Sequence, residues 1–356
     1  MLQTLRLLAF SLFFALSAQP LLAQDTATPT MNSYQLLVTN SHSNTISLVD
    51  PQQGVTQTLE VGSAPWAIAL SPDNRAYVST DAGVAVVDVQ AWALEAFVPY
   101  NTPVRTGRFG EYREGGMALV LSPDAKTVYV GVYTGGGTDQ LEVLDTAALE
   151  FTASVPIGIR PFDVVMTPDG QHVISIDHDS YSATVIDTET LTPVTVELAP
   201  LGFAAYDKPH YAAVAADGHL WLPYQGRTLV NFDPLTGKYT TSNLNASTHQ
   251  HGTAFTPDQS RLLIVGTGAA GEVSNPPSLT IVEMDTLQEM ILPLAKAHEK
   301  ALVSPDGKTA YLSGGYLLNG GWDGITVMDL ETFATREIPV PDAPLDMVIV
   351  KPANRG

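Results

Sequence analysis

The 356-residue sequence contains no cysteine, and this absence excludes several kinds of site. No disulfide can form, no thiolate can bind a metal ion, and no lipid can be attached to a thiol. Long apolar runs are also scarce. The one at the N-terminus, residues 7–16, is shorter than the ~20 residues of a membrane-spanning helix. The sequence therefore predicts neither a disulfide scaffold nor a membrane anchor.

Basic residues are few: 17 Lys and Arg stand against 37 Asp and Glu, a formal net charge of −20. Proteins that bind nucleic acids neutralise phosphates with Lys and Arg, and no basic stretch with interleaved aromatic residues occurs here. We therefore expect no nucleic-acid partner, and a soluble, monomeric protein whose surface attracts cations.

The N-terminus has the pattern of a secretory signal peptide. Arg6 precedes the apolar run, and a small residue, Ala23, marks the expected cleavage site. We therefore predict a signal peptide over residues 1–23, a disordered leader over 24–33, and a periplasmic or secreted mature protein.

One turn motif occurs seven times along the remaining chain. An apolar stretch runs into Ser/Thr-Pro-Asp or a degenerate copy, with the proline or its equivalent at positions 72, 123, 168, 216, 257, 305 and 352. Proline presets φ, and aspartate hydrogen-bonds back to the nearby backbone. Copies 41 to 51 residues apart, each with several short strands, are typical of a β-propeller.

The strand count predicts seven blades. One repeat holds four β-rich segments, 67–70, 76–79, 84–89 and 94–98. The chain opens with three such segments and closes with one, 345–350. The prediction is an all-β, seven-bladed β-propeller over residues 34–352, followed by a tail over 353–356. Each blade has four antiparallel strands, and the N-terminal strands pair with the C-terminal strand so that no sheet edge stays exposed.

The amino-acid sequence of the repeats resembles the YVTN-type propeller repeat. The resemblance lies in Leu37-Val38-Thr39-Asn40, in residues 64–73 and in Val128-Tyr129-Val130, and it extends over nearly all of the mature chain. It implies the fold and leaves the function open, because such propellers serve as binding proteins, redox subunits, surface proteins and lactonases. Exported zinc-chaperone propellers are a distant parallel, although residues 24–41 here contain no histidine.

The repeated turns also predict where a site lies. The turns join first to second strands, so they define a bottom face, and the opposite, top face carries the loops that precede the first strands. Six residues before each anchor, near the channel mouth, stand Trp66, Met117, Phe162, His210, His251, Glu299 and Asp346.

His210 and His251 occupy this position in neighbouring blades, and His298 is one residue out of register in the next. Imidazole suits zinc or copper. We therefore predict a metal site formed by His210, His251, His298, His249, Asp207 and Glu299. The alternative is that these histidines are solvated or bond to adjacent loops. His42 and His178 are interpreted as loop surface, and His172 and His219 as bottom-face residues.

A second set of candidates is cationic. The long linker over residues 100–116 brings Arg105, Arg108 and Arg113 to the top face. Together with Arg160 and Lys208 it would form a positive side of the mouth suited to an anionic ligand, with Trp66 nearby. The alternative is a solvated, charged loop.

Three functions are consistent with these features. The first is a periplasmic binding protein that holds zinc or copper and delivers it to a transporter or another periplasmic partner. The second is a metal-free scaffold for protein interaction. The third is an enzyme, either a lactonase-like hydrolase that uses metal-bound water or a redox-enzyme subunit. No Ser-His-Asp set is recognisable and Gly-x-Ser-x-Gly is absent, so no motif supports catalysis.

Overall fold

The computed structural model describes residues 34–110, 112–203, 207–246, 250–267, 276–315 and 322–351. The predicted signal peptide, leader and C-terminal tail lie outside these residues, as do Glu111 and His249. Within the described residues, no helix is long and apolar enough to cross a membrane.

The regular elements of the described residues are β-strands. In chain order they are β1 (Gln35–Asn40), β2 (Thr45–Asp50), β3 (Gly54–Glu60), β4 (Ile68–Leu70), β5 (Arg75–Ser79), β6 (Gly83–Asp88), β7 (Ala93–Pro99), β8 (Gly115–Leu121), β9 (Thr127–Tyr133), β10 (Gln140–Asp145), β11 (Glu150–Pro156), β12 (Pro161–Met166), β13 (His172–Asp177), β14 (Ser182–Asp187), β15 (Pro193–Glu197), β16 (Ala213–Val214), β17 (Leu220–Pro223), β18 (Thr228–Asp233), β19 (Lys238–Asn243), β20 (Gln250–Phe255), β21 (Arg261–Gly266), β22 (Ser278–Glu283), β23 (Gln288–Pro293), β24 (Ala301–Val303), β25 (Thr309–Ser313), β26 (Gly324–Asp329), β27 (Thr335–Pro339) and β28 (Pro344–Val350).

These strands form seven four-stranded antiparallel sheets, which we number as blades in chain order. Blades 1 to 6 are β4–β7, β8–β11, β12–β15, β16–β19, β20–β23 and β24–β27, and blade 7 is β28 followed by β1–β3. In blade 7 the C-terminal strand pairs with the N-terminal one, with Leu37 opposite Val348. The chain is a seven-bladed β-propeller. The predicted fold, strand count and ring closure are confirmed.

Burial falls from the inside of each blade to the outside. In blade 1 the second and third strands, β5 and β6, are almost wholly buried, whereas the outermost strand β7 is mostly exposed. Apolar side chains from neighbouring blades pack face to face. One such cluster joins Leu37 and Ile46 of blade 7 to Ile68 and Val78 of blade 1. The ring is therefore held together by apolar packing between blades.

The bottom face repeats one turn with the same contacts. The Ser304 hydroxyl donates to the Asp306 carboxylate at 2.6 Å, and Ser122 and Asp124 do the same at 2.7 Å. The residue after the aspartate has a left-handed φ, 64° at Asn74 and 72° at Gly307, which favours asparagine or glycine there. His172 and His219 follow such turns on this face.

The hydroxyl contact also sets the charge state of these turns. At five of them the Ser or Thr side chain is the main cause of an aspartate pKa held below its usual range: Asp73, Asp124, Asp169, Asp258 and Asp306. Stabilising the ionised form keeps each carboxylate an acceptor for the turn.

Candidate functional site

Seven side chains, one from each blade, meet on the axis of the ring below the top-face loops. All are buried, with exposures of 4% or less: Trp66, Met117, Phe162, His210, His251, Glu299 and Leu345. Trp66, Met117, Phe162 and Leu345 belong to one apolar cluster. Side chains therefore close the channel at this level, which we call the axial ring.

The seventh member of the axial ring corrects the sequence prediction. Asp346 was expected there, but its carboxylate accepts a hydrogen bond from the backbone N–H of Ile68 at 3.0 Å. Asp163 accepts one from Ala212 in the same way, also at 3.0 Å. Asp346 is thus equivalent to Asp163, and Leu345 to Phe162. The last repeat has one residue more between the axis and its anchor than the third repeat, which shifts the count.

Aromatic rings stack across three blades on one side of the axial ring. The ring centroids of Phe162 and His210 are 4.5 Å apart, and those of His178 and His210 are 4.6 Å apart. His210 and His251 stack at 4.1 Å with an interplanar angle of 21°. Two imidazolium rings at this distance would repel strongly, so the stack disfavours a positive charge on both rings at once.

A carboxylate fixes one of these rings. Nδ1 of His251 lies 2.8 Å from Oε1 of Glu299, and the Tyr211 hydroxyl donates to the same oxygen at 3.2 Å. An ionised carboxylate only accepts hydrogen bonds, so the neutral form of His251 carries its proton on Nδ1 and its lone pair on Nε2. The pair therefore presents Nε2 of His251 as a base or a metal ligand.

His178 is buried, which corrects its interpretation as loop surface. It is 3% exposed, and a terminal nitrogen of Arg160 donates to its Nδ1 at 2.6 Å. Burial is the main cause that lowers the pKa of His178 to about 3. The ring is neutral at physiological pH, and a guanidinium occupies its Nδ1 side.

The cationic candidates are held by one carboxylate and two aromatic rings. Arg160 and Lys208 both contact Asp179, at 3.0 and 2.7 Å. Arg160 also lies over the ring of Tyr112, and Lys208 over that of Tyr181. Burial alone would raise the pKa of Asp179, but the contacts with Lys208 and Arg160 outweigh it and hold that pKa well below its usual range.

Arg113 lies in the interior, whereas Arg105 on the same linker is solvated. Arg105 is 66% exposed and pairs with Glu114. Arg113 is 1% exposed, and its guanidinium lies 5.1 Å from the centre of the Trp66 ring. Burial lowers the pKa of Arg113 to about 10, so it stays charged at neutral pH. The solvated-loop alternative thus describes Arg105 and not Arg113.

Two predicted metal ligands lie apart from the stack. His298 is turned between blades 5 and 6, where its Nε2 lies 2.7 Å from the Thr326 hydroxyl beside a cavity of about 320 Å³. Asp207 accepts hydrogen bonds from the Gly226 backbone and the Thr228 hydroxyl. The structure thus brings together His210, His251 and Glu299 of the six predicted ligands.

A partly buried charged layer lies beside the axial ring, and the sequence analysis missed it. Lys300 pairs with Asp346 at 3.2 Å and lies over the Tyr211 ring. Burial acts to lower the pKa of Lys300, but attraction to Asp346 and Asp163 outweighs it and raises that pKa. Burial raises the pKa of Asp163. The sequence does contain a signal for this layer. The residue directly after the axial position is Asp163, Tyr211 or Lys300 in three of the blades.

The described residues contain no ready-made cluster of three or more His, Asp or Glu side chains with the arrangement of a metal site. The stacked rings of His210 and His251 would have to rotate for both to bind one ion. Metal binding therefore remains a prediction.

Comparison with known proteins bears on the fold alone. No protein-family model matches the sequence, and no curated protein matches it. The YVTN assignment therefore stays a prediction. Among solved structures, the chain is similar to one described as Kuenenia stuttgartiensis hydrazine synthase, with a TM-score of 0.64 and 16% identity. The match covers 81% of this chain and 96% of that one.

Proposed function

We propose that this protein is an exported binding protein that holds a transition-metal ion at the top of its axis and passes it to a periplasmic partner. The observation that carries the proposal is the His251–Glu299 contact with the His210 ring stacked beside it. A carboxylate behind an imidazole fixes the tautomer and raises the basicity of the nitrogen that faces the metal, as in many metal sites.

The neighbouring charges limit the ligand set to two rings. Arg160 donates to His178, and a guanidinium next to a metal ion would repel it. His210 and His251 would supply two nitrogen ligands, and water would fill the remaining positions. Open positions are where a bound ion exchanges its ligands, which suits a cargo that must be released. Zinc and copper both accept imidazole.

Isothermal titration with Zn²⁺ and Cu²⁺ tests this proposal on protein purified without a histidine tag. We expect one ion per chain. Binding should be lost in the double variant His210→Ala, His251→Ala, and Glu299→Gln should weaken it roughly 10- to 100-fold. The matched control is His172→Ala with His219→Ala, two bottom-face histidines, which should bind as the wild type does. Unchanged affinity in the His210 and His251 variant would refute the proposal.

A metal-free interaction scaffold is the second candidate, and exposed aromatic rings favour it. Phe109, Tyr112 and Phe203 are 47%, 59% and 58% exposed on top-face loops. Exposed aromatic residues next to arginine are typical of protein interfaces. Recovery of a periplasmic partner should fall in Tyr112→Ala with Phe203→Ala and persist in Phe97→Ala on the outer strand β7. Equal recovery with the wild type, the double variant and Phe97→Ala would count against this face.

A further inference from the structure

Arg113 brings a full positive charge into the interior without a paired carboxylate among the described residues. Its two terminal nitrogens donate to the backbone carbonyls of Glu114 and Gly116, at 3.0 and 2.6 Å. Asp81 acts on its charge from a longer distance, but that carboxylate accepts the Gly107 N–H at 2.6 Å. An unpaired buried charge is costly for a protein to maintain.

Two buried donors of this pair lack an acceptor. In the described part of the chain, neither Nε of Arg113 nor Nε1 of Trp66 has a hydrogen-bond partner. Both side chains are 1% exposed, and the guanidinium lies over the indole. Leaving a buried N–H unsatisfied costs about 1–3 kcal/mol, and more when the group is charged. The stacked pair therefore has two buried N–H groups without an acceptor, one on a charged side chain and one on a neutral side chain. This indicates that a molecule from outside the chain supplies the acceptor.

A second buried guanidinium lies near this pair. The Trp66 and Phe162 rings lie edge to face with centroids 6.4 Å apart, and the Arg160 guanidinium lies 5.4 Å from the centre of the Phe162 ring. Two buried guanidinium groups therefore stand on adjoining rings of the axial ring. Since Arg160 is already paired with Asp179, Arg113 is the one whose charge an added anion would balance.

We propose that Arg113 and Trp66 form a binding site for a small oxyanion, the carboxylate, sulfate or phosphate group of a ligand, on the top side of the axial ring. Nε–H of Arg113 and Nε1–H of Trp66 donate to its oxygens, and the guanidinium supplies the charge. Arg113 lies in the linker between β7 and β8. The site is separate from the proposed metal ligands, because it uses neither His210 nor His251.

The test is titration of the full mature chain with sodium phosphate, sodium sulfate and sodium acetate at matched ionic strength in chloride. Calorimetry and tryptophan fluorescence report binding. We expect saturable binding of at least one anion, and the preferred anion identifies the ligand group. Arg113→Met and Trp66→Phe should each weaken that binding by about tenfold or more, because the first removes the positive charge with its Nε donor and the second removes the Nε1 donor.

Matched controls lie outside the mouth. Arg261→Met removes a guanidinium paired with Glu283, and Trp92→Phe removes an indole near the Thr58 carbonyl. Both should bind the anion as the wild type does, and so should the His210→Ala, His251→Ala variant. Trp66→Phe keeps an aromatic ring on the axis, so it decides the question if Arg113→Met does not fold. The proposal is overturned if no anion binds saturably, or if Trp66→Phe or a folded Arg113→Met binds with wild-type affinity.

Discussion

On the bottom face the same hydroxyl-to-carboxylate contact recurs in five blades, between Ser or Thr and the aspartate two residues on. On the top side, the equivalent axial position holds six different residue types in seven blades. The fold needs the same turn in each blade, so the bottom face repeats. It does not need a particular axial side chain, so the top side is free to carry a ligand site.

The largest expected effect comes from the axial ring itself. Phe162 is fully buried and contacts Trp66, His178, His210 and Tyr211. Phe162→Ala should lower the free energy of unfolding by about 3–5 kcal/mol, because it leaves a cavity where aromatic rings from several blades meet. Guanidinium unfolding measures it. Phe203→Ala, on an exposed loop residue, should cost less than about 1 kcal/mol.

If Phe162→Ala lowered the free energy of unfolding only slightly, the axis would be loosely packed. The top side would then be an open mouth, and the contrast with the bottom face would lie in the loops instead of in the packed ring.

The sequence predicted the fold because the repeated turn is a local signal. Pro, Asp or both form each turn through local backbone contacts, and the seven copies give the blade count independently of the neighbouring side chains. A propeller core accepts many apolar combinations, so the count does not depend on side-chain detail.

The site was harder to predict because it depends on register and on contacts between blades. Successive residues of an extended chain point to opposite sides, so Glu299 reaches the axis while His298 turns into the cleft between blades 5 and 6. His178 is buried because the ring of His210, from the next blade, packs against it. No feature of its own repeat shows this.

Acid stability tests whether His298 belongs to the packed interior. Burial lowers the pKa of His298 to about 4, below the ~6.5 of an unfolded chain. Between these values the unfolded state takes up a proton that the folded state does not, so stability falls as the pH falls. From pH 8 to pH 5 the wild type should lose about 2 kcal/mol more than His298→Gln.

Urea unfolding of both chains at the two pH values measures this difference. Asp177 titrates in the opposite sense, since burial raises its pKa to about 7, but it is common to both chains and cancels. Identical pH dependence would place His298 in a solvated setting and reopen its assignment to the mouth.

Substitutions in the bottom-face turns should have the smallest effects on stability, and we expect the effect to be the same in each blade. Ser304 donates to Asp306 and accepts the Thr309 N–H at 2.9 Å. Ser71 likewise contacts Asp73 and accepts the Arg75 N–H at 3.0 Å. Ser71→Ala and Ser304→Ala should each cost about 1 kcal/mol of unfolding free energy, measured by urea unfolding. Both should leave zinc and oxyanion binding at wild-type affinity.

If either serine substitution weakened the binding of zinc or of the oxyanion, the two faces would be coupled through the innermost strands. The bottom turns would then position the site as well as form the ring.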